Sequence, residues 1–226
     1  MTNCSGILLV DKSKGSTSFR LVSILRRITK VEKIGHSGTL DPFATGLIVM
    51  LIGREYTRLS DQFLTADKEY IGTIHLGVET DTYDTEGAVL HTSDKVPTKE
   101  ELQNVLAQFQ GEILQTPPMY SAKKVQGQKL CDLARKGVTI EREAVKVRVQ
   151  IELLSYDYPN VEIRVVCSKG TYIRSLAHDI GQALGTGAHL SSLKRTRSGH
   201  FHLSNAVTQE QLQTPGFEIA PYLLCQ

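Results

Sequence analysis

Short apolar or alternating runs, joined by polar connections of irregular length, constrain this 226-residue chain more than any other feature. The run LIVMLI at residues 47–52 is continuously apolar and predicts a buried element. Residues 7–10 form a second apolar run, closed by the turn-like DKSKG, and predict a strand. Residues 70–76 alternate, with Tyr70, Gly72, Ile74 and Leu76 set against Ile71, Thr73 and His75, as strand residues do. Residues 145–154 and 161–167 predict a strand pair, and 189–196 with 200–203 a hairpin turned at Ser198-Gly199. Fewer helices are signalled. Ser16 or Thr17 can cap one that runs to about Thr29, with Leu21, Ile24, Leu25 and Ile28 on one stripe. Thr98-Lys99-Glu100-Glu101 is a capping-box pattern opening a second, to about Phe109. Residues 173–184 predict a third, ended by Gly185 and Gly187, with shorter helical patterns at 130–135 and after Thr208. Because these elements are not joined as regular βαβ units, the expected class is α+β, with a mixed, mainly antiparallel sheet and flanking helices.

Composition narrows the function classes. Hydrophobic residues make up 40% of the chain and charged residues 22%, ordinary globular usage that argues against disorder as the main state. A chain of this length suits a single large domain and buries about 70% of its unfolded surface without a metal or disulfide staple. No stretch reaches the ~20 apolar residues needed to cross a bilayer. The opening MTNCSGILLVDK lacks a basic segment and a cleavage signal, so a cytoplasmic protein is expected. Cys4, Cys131, Cys167 and Cys225 are scattered, with no CxxC and no Cys/His cluster, which predicts quiet thiols and no structural zinc.

The formal net charge of +2 conceals polarity along the chain. Lys and Arg outnumber Asp and Glu seven to two over residues 10–40, eight to three over 120–150 and six to one over 164–200, while residues 61–101 carry three against ten. Alternation of this kind fits a molecule with one positive face, which attracts polyanions with salt-dependent affinity. Solvated helix and hairpin faces give the same counts.

The densest cluster of chemically useful residues is GHSGTLDP at residues 35–42. Its glycines allow unusual backbone conformations, and Pro42 fixes the chain just after Asp41, which could then act as nucleophile or general base. An Asp-Pro turn in which Asp41 bonds only local backbone has the same sequence. His36 could be an acid, a ligand, a hydrogen-bond donor or a structural residue. In SKGTYIR, residues 168–174, Arg174 could pair with a buried carboxylate and Tyr172 could line a pocket, or both could serve helix-start packing. The segment lacks the GxxxxGK[ST] arrangement of a nucleotide loop. Lys12, in the basic turn ending at Gly15, is a weak phosphate-loop candidate, and Tyr70 could stack on a base. The chain contains no GxSxG elbow and no HExxH helix.

Taken together and in order, GHSGTLDP, DKEY and CSKGTYIRSL resemble the signature segments of the TruB family of tRNA pseudouridine synthases. DKSKG and TPPMYSAKKVQGQKLCDLARKG are also similar to that family, so the resemblance runs from about Gly6 to Leu203. It implies a mixed, mainly antiparallel sheet with helices on its faces and an active-site cleft across it. It further implies cofactor-free, metal-free isomerisation of uridine-55 in the tRNA T loop, by a monomer with no obligate protein partner. By motif, Asp41 is the catalytic aspartate and Tyr70 stacks on the target uracil. Tyr172 and Arg174 match the pocket tyrosine and the arginine paired with the aspartate, and His36 matches the histidine that fills the place of the flipped base. Leu193 matches a further pocket-lining position, and Lys12 lies in the turn that matches the family's KPxG segment. The expected organisation is one catalytic domain over residues 1–226 with a basic insertion at about 118–146. Two departures stand out: Ser13 replaces the usual proline, and the chain stops at Gln226, where the family commonly continues into a C-terminal RNA-binding PUA domain. Two other readings fit the same residues: a tRNA-binding and refolding module with secondary or lost catalysis, and a metal-free hydrolase using His36 and Asp41.

Overall fold

The apolar run at 47–52 lies within the strand Thr45–Ile52, and every residue from Leu47 to Ile52 is fully buried. A strand covered on both faces cannot alternate, which is why its sequence reads as one unbroken apolar stretch. This strand is the hub of its neighbourhood in a computed structural model that describes residues 5–125 and 127–224. The described residues form two compact units, one from Met1–Tyr70 with Leu193–Gln226 and the other from Ile71–Ser192. Cys4, Cys225 and the start of the N-terminal segment lie outside the described residues.

In the first unit, strand Gly6–Lys12 pairs antiparallel with Thr45–Ile52, in register from Gly6 opposite Ile52 to Lys12 opposite Gly46. Strand Ile34–Ser37 also pairs antiparallel with Thr45–Ile52, and Val207–Thr208 lies parallel to Gly6–Lys12. Lys194 and Arg195 add a parallel pairing to Thr45 and Gly46. Ile7, Leu9, Leu47, Val49 and Leu51 pack with Phe63 and Phe201 on one side of these strands. Helix Ser18–Thr29 buries Leu21, Val22, Ile24 and Leu25, and Thr17, rather than Ser16, caps it by accepting a hydrogen bond from the Arg20 amide. The first three residues of GHSGTLDP belong to the strand Ile34–Ser37, so the connection that carries Asp41 spans only residues 38–44. Short helices Arg54–Thr57 and Ser60–Thr65 carry no pattern strong enough to be predicted.

In the second unit, Val145–Asp157 pairs antiparallel with Asn160–Cys167 through an irregularity between Leu153 and Ser155, and with Gly111–Gln115 on its other edge. Alternate residues Val147, Val149 and Ile151 are buried, as are Val161, Ile163, Val165 and Cys167 on the paired strand, with Val149 opposite Cys167 and Ile151 opposite Val165. Helix Lys99–Gln108 carries the predicted capping box between Thr98 and Glu101, and helix Ile173–Leu184 ends at Gly185 in the left-handed conformation. Val78–Thr80 and Val89–Thr92 bracket the acidic run as a separate hairpin. Two strands, Lys68–Leu76 and Ala188–Ser198, begin in one unit and end in the other. The predicted hairpin at Ser198-Gly199 is present, with Arg197 opposite His202. The class is therefore α+β, mixed and mainly antiparallel, as the sequence pattern implies. No helix among the described residues is long and apolar enough to cross a membrane.

Candidate functional site

Asp41 lies half-buried in the connection between strands Ile34–Ser37 and Thr45–Ile52. The backbone is fixed on both sides of it. Ahead of it, the Leu40 amide donates to the buried Ser18 hydroxyl oxygen (3.1 Å). Behind it, the Pro42 carbonyl accepts from the Gly15 amide (2.8 Å) and from the Lys12 ammonium (3.3 Å). The turn itself closes with the Ala44 amide donating to the Asp41 carbonyl (3.1 Å). Gly38, at φ +77°, offers its carbonyl to the Arg195 guanidinium (2.9 Å), which also donates to the Leu47 carbonyl (2.6 Å). A carboxylate carried on backbone held from four directions keeps its aim without side-chain rearrangement, which is the preorganisation that attack on a fixed substrate requires.

Lys12 is completely buried, and its ammonium also donates to the carbonyls of Ser16 (2.7 Å) and Ser13 (3.1 Å). Its place is thus among the supports of the Asp41 loop. Ser13, the position of departure from the family, donates its hydroxyl to the Glu210 carboxylate (2.5 Å). That bond restrains the turn where a proline ring would otherwise do so, and holds the Glu210 carboxyl below its usual range. His36 sits on strand Ile34–Ser37 with its buried Nδ1 lacking a hydrogen-bond partner among the described residues. Burial, and after it the positive charge of Arg195, lower its pKa, so the ring is neutral near pH 7.

Within DKEY, residues 67–70, the buried Lys68 ammonium donates to the carbonyls of Phe63 (3.3 Å), Leu64 (2.7 Å) and Ala66 (2.5 Å), neutralising the end of the Ser60–Thr65 helix. Glu69 points the opposite way and accepts from Thr196 (2.7 Å). Tyr70, two residues after Lys68, is half-buried on the same strand face as that anchor. Leu193 is buried on strand Ala188–Ser198.

Tyr172 and Arg174 belong to the second unit, at the start of helix Ile173–Leu184. The buried Gln115 side chain both accepts from the Tyr172 amide (2.8 Å) and donates to the Tyr172 carbonyl (3.1 Å). The Arg174 guanidinium is also buried, donating to the carbonyls of Thr82 (2.9 Å) and Tyr120 (2.7 Å) and lying 3.4 Å from an Asp84 carboxylate oxygen. Asp84 in turn accepts from the Thr82 hydroxyl (2.6 Å) and the Glu86 amide (3.0 Å).

Sequence reasoning missed Asp84, Gln115, Ser18 and Arg195. Arg195 was within reach, because period two places it on the same strand face as the buried Leu193. Asp84 was not, since nothing in TDTYDTEG separates one buried acid from its solvated neighbours. Among the described residues no group of three or more His, Cys, Asp or Glu could hold a metal ion.

A model of the TruB family pseudouridylate synthase N-terminal domain matches residues 26–173, and one of the tRNA pseudouridylate synthase B C-terminal domain matches residues 174–217. The chain belongs to the TruB family. Proteins named tRNA pseudouridine synthase B are similar over nearly the whole chain. The one from Protochlamydia amoebophila (strain UWE25) is 58% identical over 94% of this chain and 81% of its own length. The one from Chlamydia muridarum (strain MoPn / Nigg) is 55% identical over 96% and 90%. A chain in the crystal structure of a Cbf5-Nop10-Gar1 complex superposes with a TM-score of 0.72 at 34% identity, covering 91% of this chain and 53% of that one. This TruB family member thus spans about half of that longer chain, and its membership makes it a pseudouridine-forming enzyme.

One titration in this TruB family member gives a stability test. Burial pushes the carboxyl of Asp179, on helix Ile173–Leu184, from 3.8 to about 6. Above pH 6 the folded state therefore holds a partly desolvated charge that the unfolded chain keeps fully hydrated. Between about 6 and 3.8 the folded state takes up the proton first, so the penalty from this group fades as pH falls. Asp179→Asn should raise the Tm above wild type at pH 8, with the difference shrinking steadily below pH 6. Thermal unfolding across that range checks it, and a difference that ignores pH would assign the gain to packing instead.

Proposed function

We propose that this chain isomerises uridine-55 in the T loop of tRNA to pseudouridine, with Asp41 as the catalytic carboxylate. The observation that carries the reading is the Asp41 connection, bonded at Leu40, Asp41, Pro42 and Gly38 so that one half-buried carboxylate is presented on a fixed loop. In the reaction the bond from ribose C1′ to uracil N1 breaks, the base turns, and C1′ joins C5. The C5 proton leaves to solvent and N1 ends protonated, so atoms balance without a co-reactant. The target base must leave its stack, at a cost of a few kcal/mol, and find an aromatic platform, the role assigned to Tyr70. By their motifs Tyr172, Arg174 and Leu193 are assigned to substrate binding, and neutral His36 is assigned the position the base vacates in the RNA. Lys12 serves the site by holding the loop. The basic insertion at about 118–146 closes on the RNA backbone, and the whole chain acts as one monomeric catalytic domain.

The test is to map pseudouridine in an unmodified tRNA transcript treated with the purified chain. Pseudouridine at position 55 is expected. Modification at another position would overturn the site assignment, free uracil would favour the hydrolase reading, and bound but unmodified tRNA would favour the refolding module.

A further inference from the structure

The acidic run TDTYDTEG contains a backbone outlier. Tyr83 has φ +62°, a left-handed conformation that a bulky side chain rarely adopts. Such a conformation persists only where its surroundings enforce it, and outliers of this kind gather at functional sites. Here the enforcement comes from one face of helix Ile173–Leu184. Arg174, His178 and Gln182 recur at four-residue intervals and therefore share that face. Gln182 donates to a Glu79 carboxylate oxygen (2.8 Å), and His178 Nδ1 lies 3.6 Å from the other. The His178 ring stacks on the Tyr83 ring with centroids 4.0 Å apart and planes 17° from parallel. Arg174 grips the residues on either side of Tyr83, at the Thr82 carbonyl and the Asp84 carboxylate. Burial lowers the His178 pKa, so near pH 7 the two rings meet as neutral faces.

We infer that Tyr83 is a positioning residue: its ring, clamped on His178, turns the loop so that the Thr82 carbonyl and the Asp84 carboxylate meet the Arg174 guanidinium together. The loop has no other large side chain to set that orientation; the Tyr83 amide donates to the Thr80 carbonyl (3.2 Å) and the Tyr83 carbonyl accepts from the Leu190 amide (2.9 Å), while the Thr80 hydroxyl and the Asp81 amide close the loop at Asp84 and Ala88. Loss of the ring lets the loop relax from the left-handed conformation and separates the Thr82 and Asp84 acceptors, leaving the Tyr120 carbonyl among the groups that still hold Arg174. The inference rests on the assignment of Arg174 to the substrate pocket.

Single-turnover release of tritium from tRNA labelled at uracil C5, with enzyme in excess, is the readout, alongside RNA affinity and Tm. Tyr83→Ala should slow release about tenfold or more while leaving RNA affinity nearly unchanged, the pattern of a group that acts only on the transition state. Tyr83→Phe keeps the stacking face and should restore the rate. His178→Ala removes the same stack without touching the loop, and the double variant should fall no further than either single one. A Tyr83→Ala rate near that of wild type, additive losses, or slow release by Tyr83→Phe would each overturn the role of Tyr83. If Asp41→Asn still releases label, the assignment of the site itself fails, and this inference with it.

Discussion

Asp41→Asn should abolish tritium release from C5-labelled tRNA, with a loss of roughly 10³-fold or more, the scale on which removing a reacting group acts. The side chains are nearly the same size, so packing gives no reason for a change. The connection that carries Asp41 is held through backbone groups by Ser18, Gly15, Lys12 and Arg195. Those bonds meet backbone groups of the connection, so they persist in the variant. What changes is charge: asparagine offers no anion to attack or stabilise a reacting ribose or base. RNA affinity should therefore stay within about threefold of wild type, because only interactions made in the transition state are lost. Release by the variant at a rate near wild type would remove Asp41 from the chemistry and favour a reading in which the chain's main task is to bind and refold tRNA.

The largest effect on stability should come from Gly46→Ala. Gly46, the second residue of the Thr45–Ile52 strand, has φ +99° and lies between Lys12 on one neighbouring strand and Arg195 on the other. A Cβ there would stand 2.3 Å from the Arg195 carbonyl oxygen and 2.7 Å from its amide nitrogen. Those are backbone atoms that cannot rotate away, and the dihedral itself strains any residue that has a Cβ. Together these should cost roughly 4 kcal/mol, near the top of what single substitutions do. For a chain of this length that lowers Tm by about 10 °C or more. Because Arg195 also holds Gly38, activity should fall faster on warming than the melting curve alone accounts for. A Tm within about 2 °C of wild type would mean that the strands part easily at Gly46, and that the loop is less rigid than its hydrogen bonds imply.

Residues whose roles follow from their own chemistry and spacing were legible in the sequence. The burial of 47–52, the capping box at Thr98, the hairpin at Ser198-Gly199 and the α+β class all follow from local periodicity and turn preferences, which operate over a few residues. Likewise GHSGTLDP, DKEY and CSKGTYIRSL carry the family resemblance as contiguous strings. Lys12 shows where that kind of reading stops. Its composition and turn suggest contact with phosphate, yet the ammonium is buried against three carbonyls, because its strand is interior and a buried lysine must satisfy its donors on the backbone.

The sequence by itself determined the period of each element, the string that contains Asp41 and the identity of the groups available for chemistry, since all of these are written in neighbouring residues. Tertiary structure alone decided that Ser18 and Arg195 would anchor the loop, that Gln115 would hold Tyr172, and that Asp84, one acid among many, would be buried against Arg174. Those partners lie between 22 and 157 positions apart where hydrogen bonds join them. A hydrogen bond depends on distance and direction in space, and only the folded chain sets those for residues so far apart in sequence.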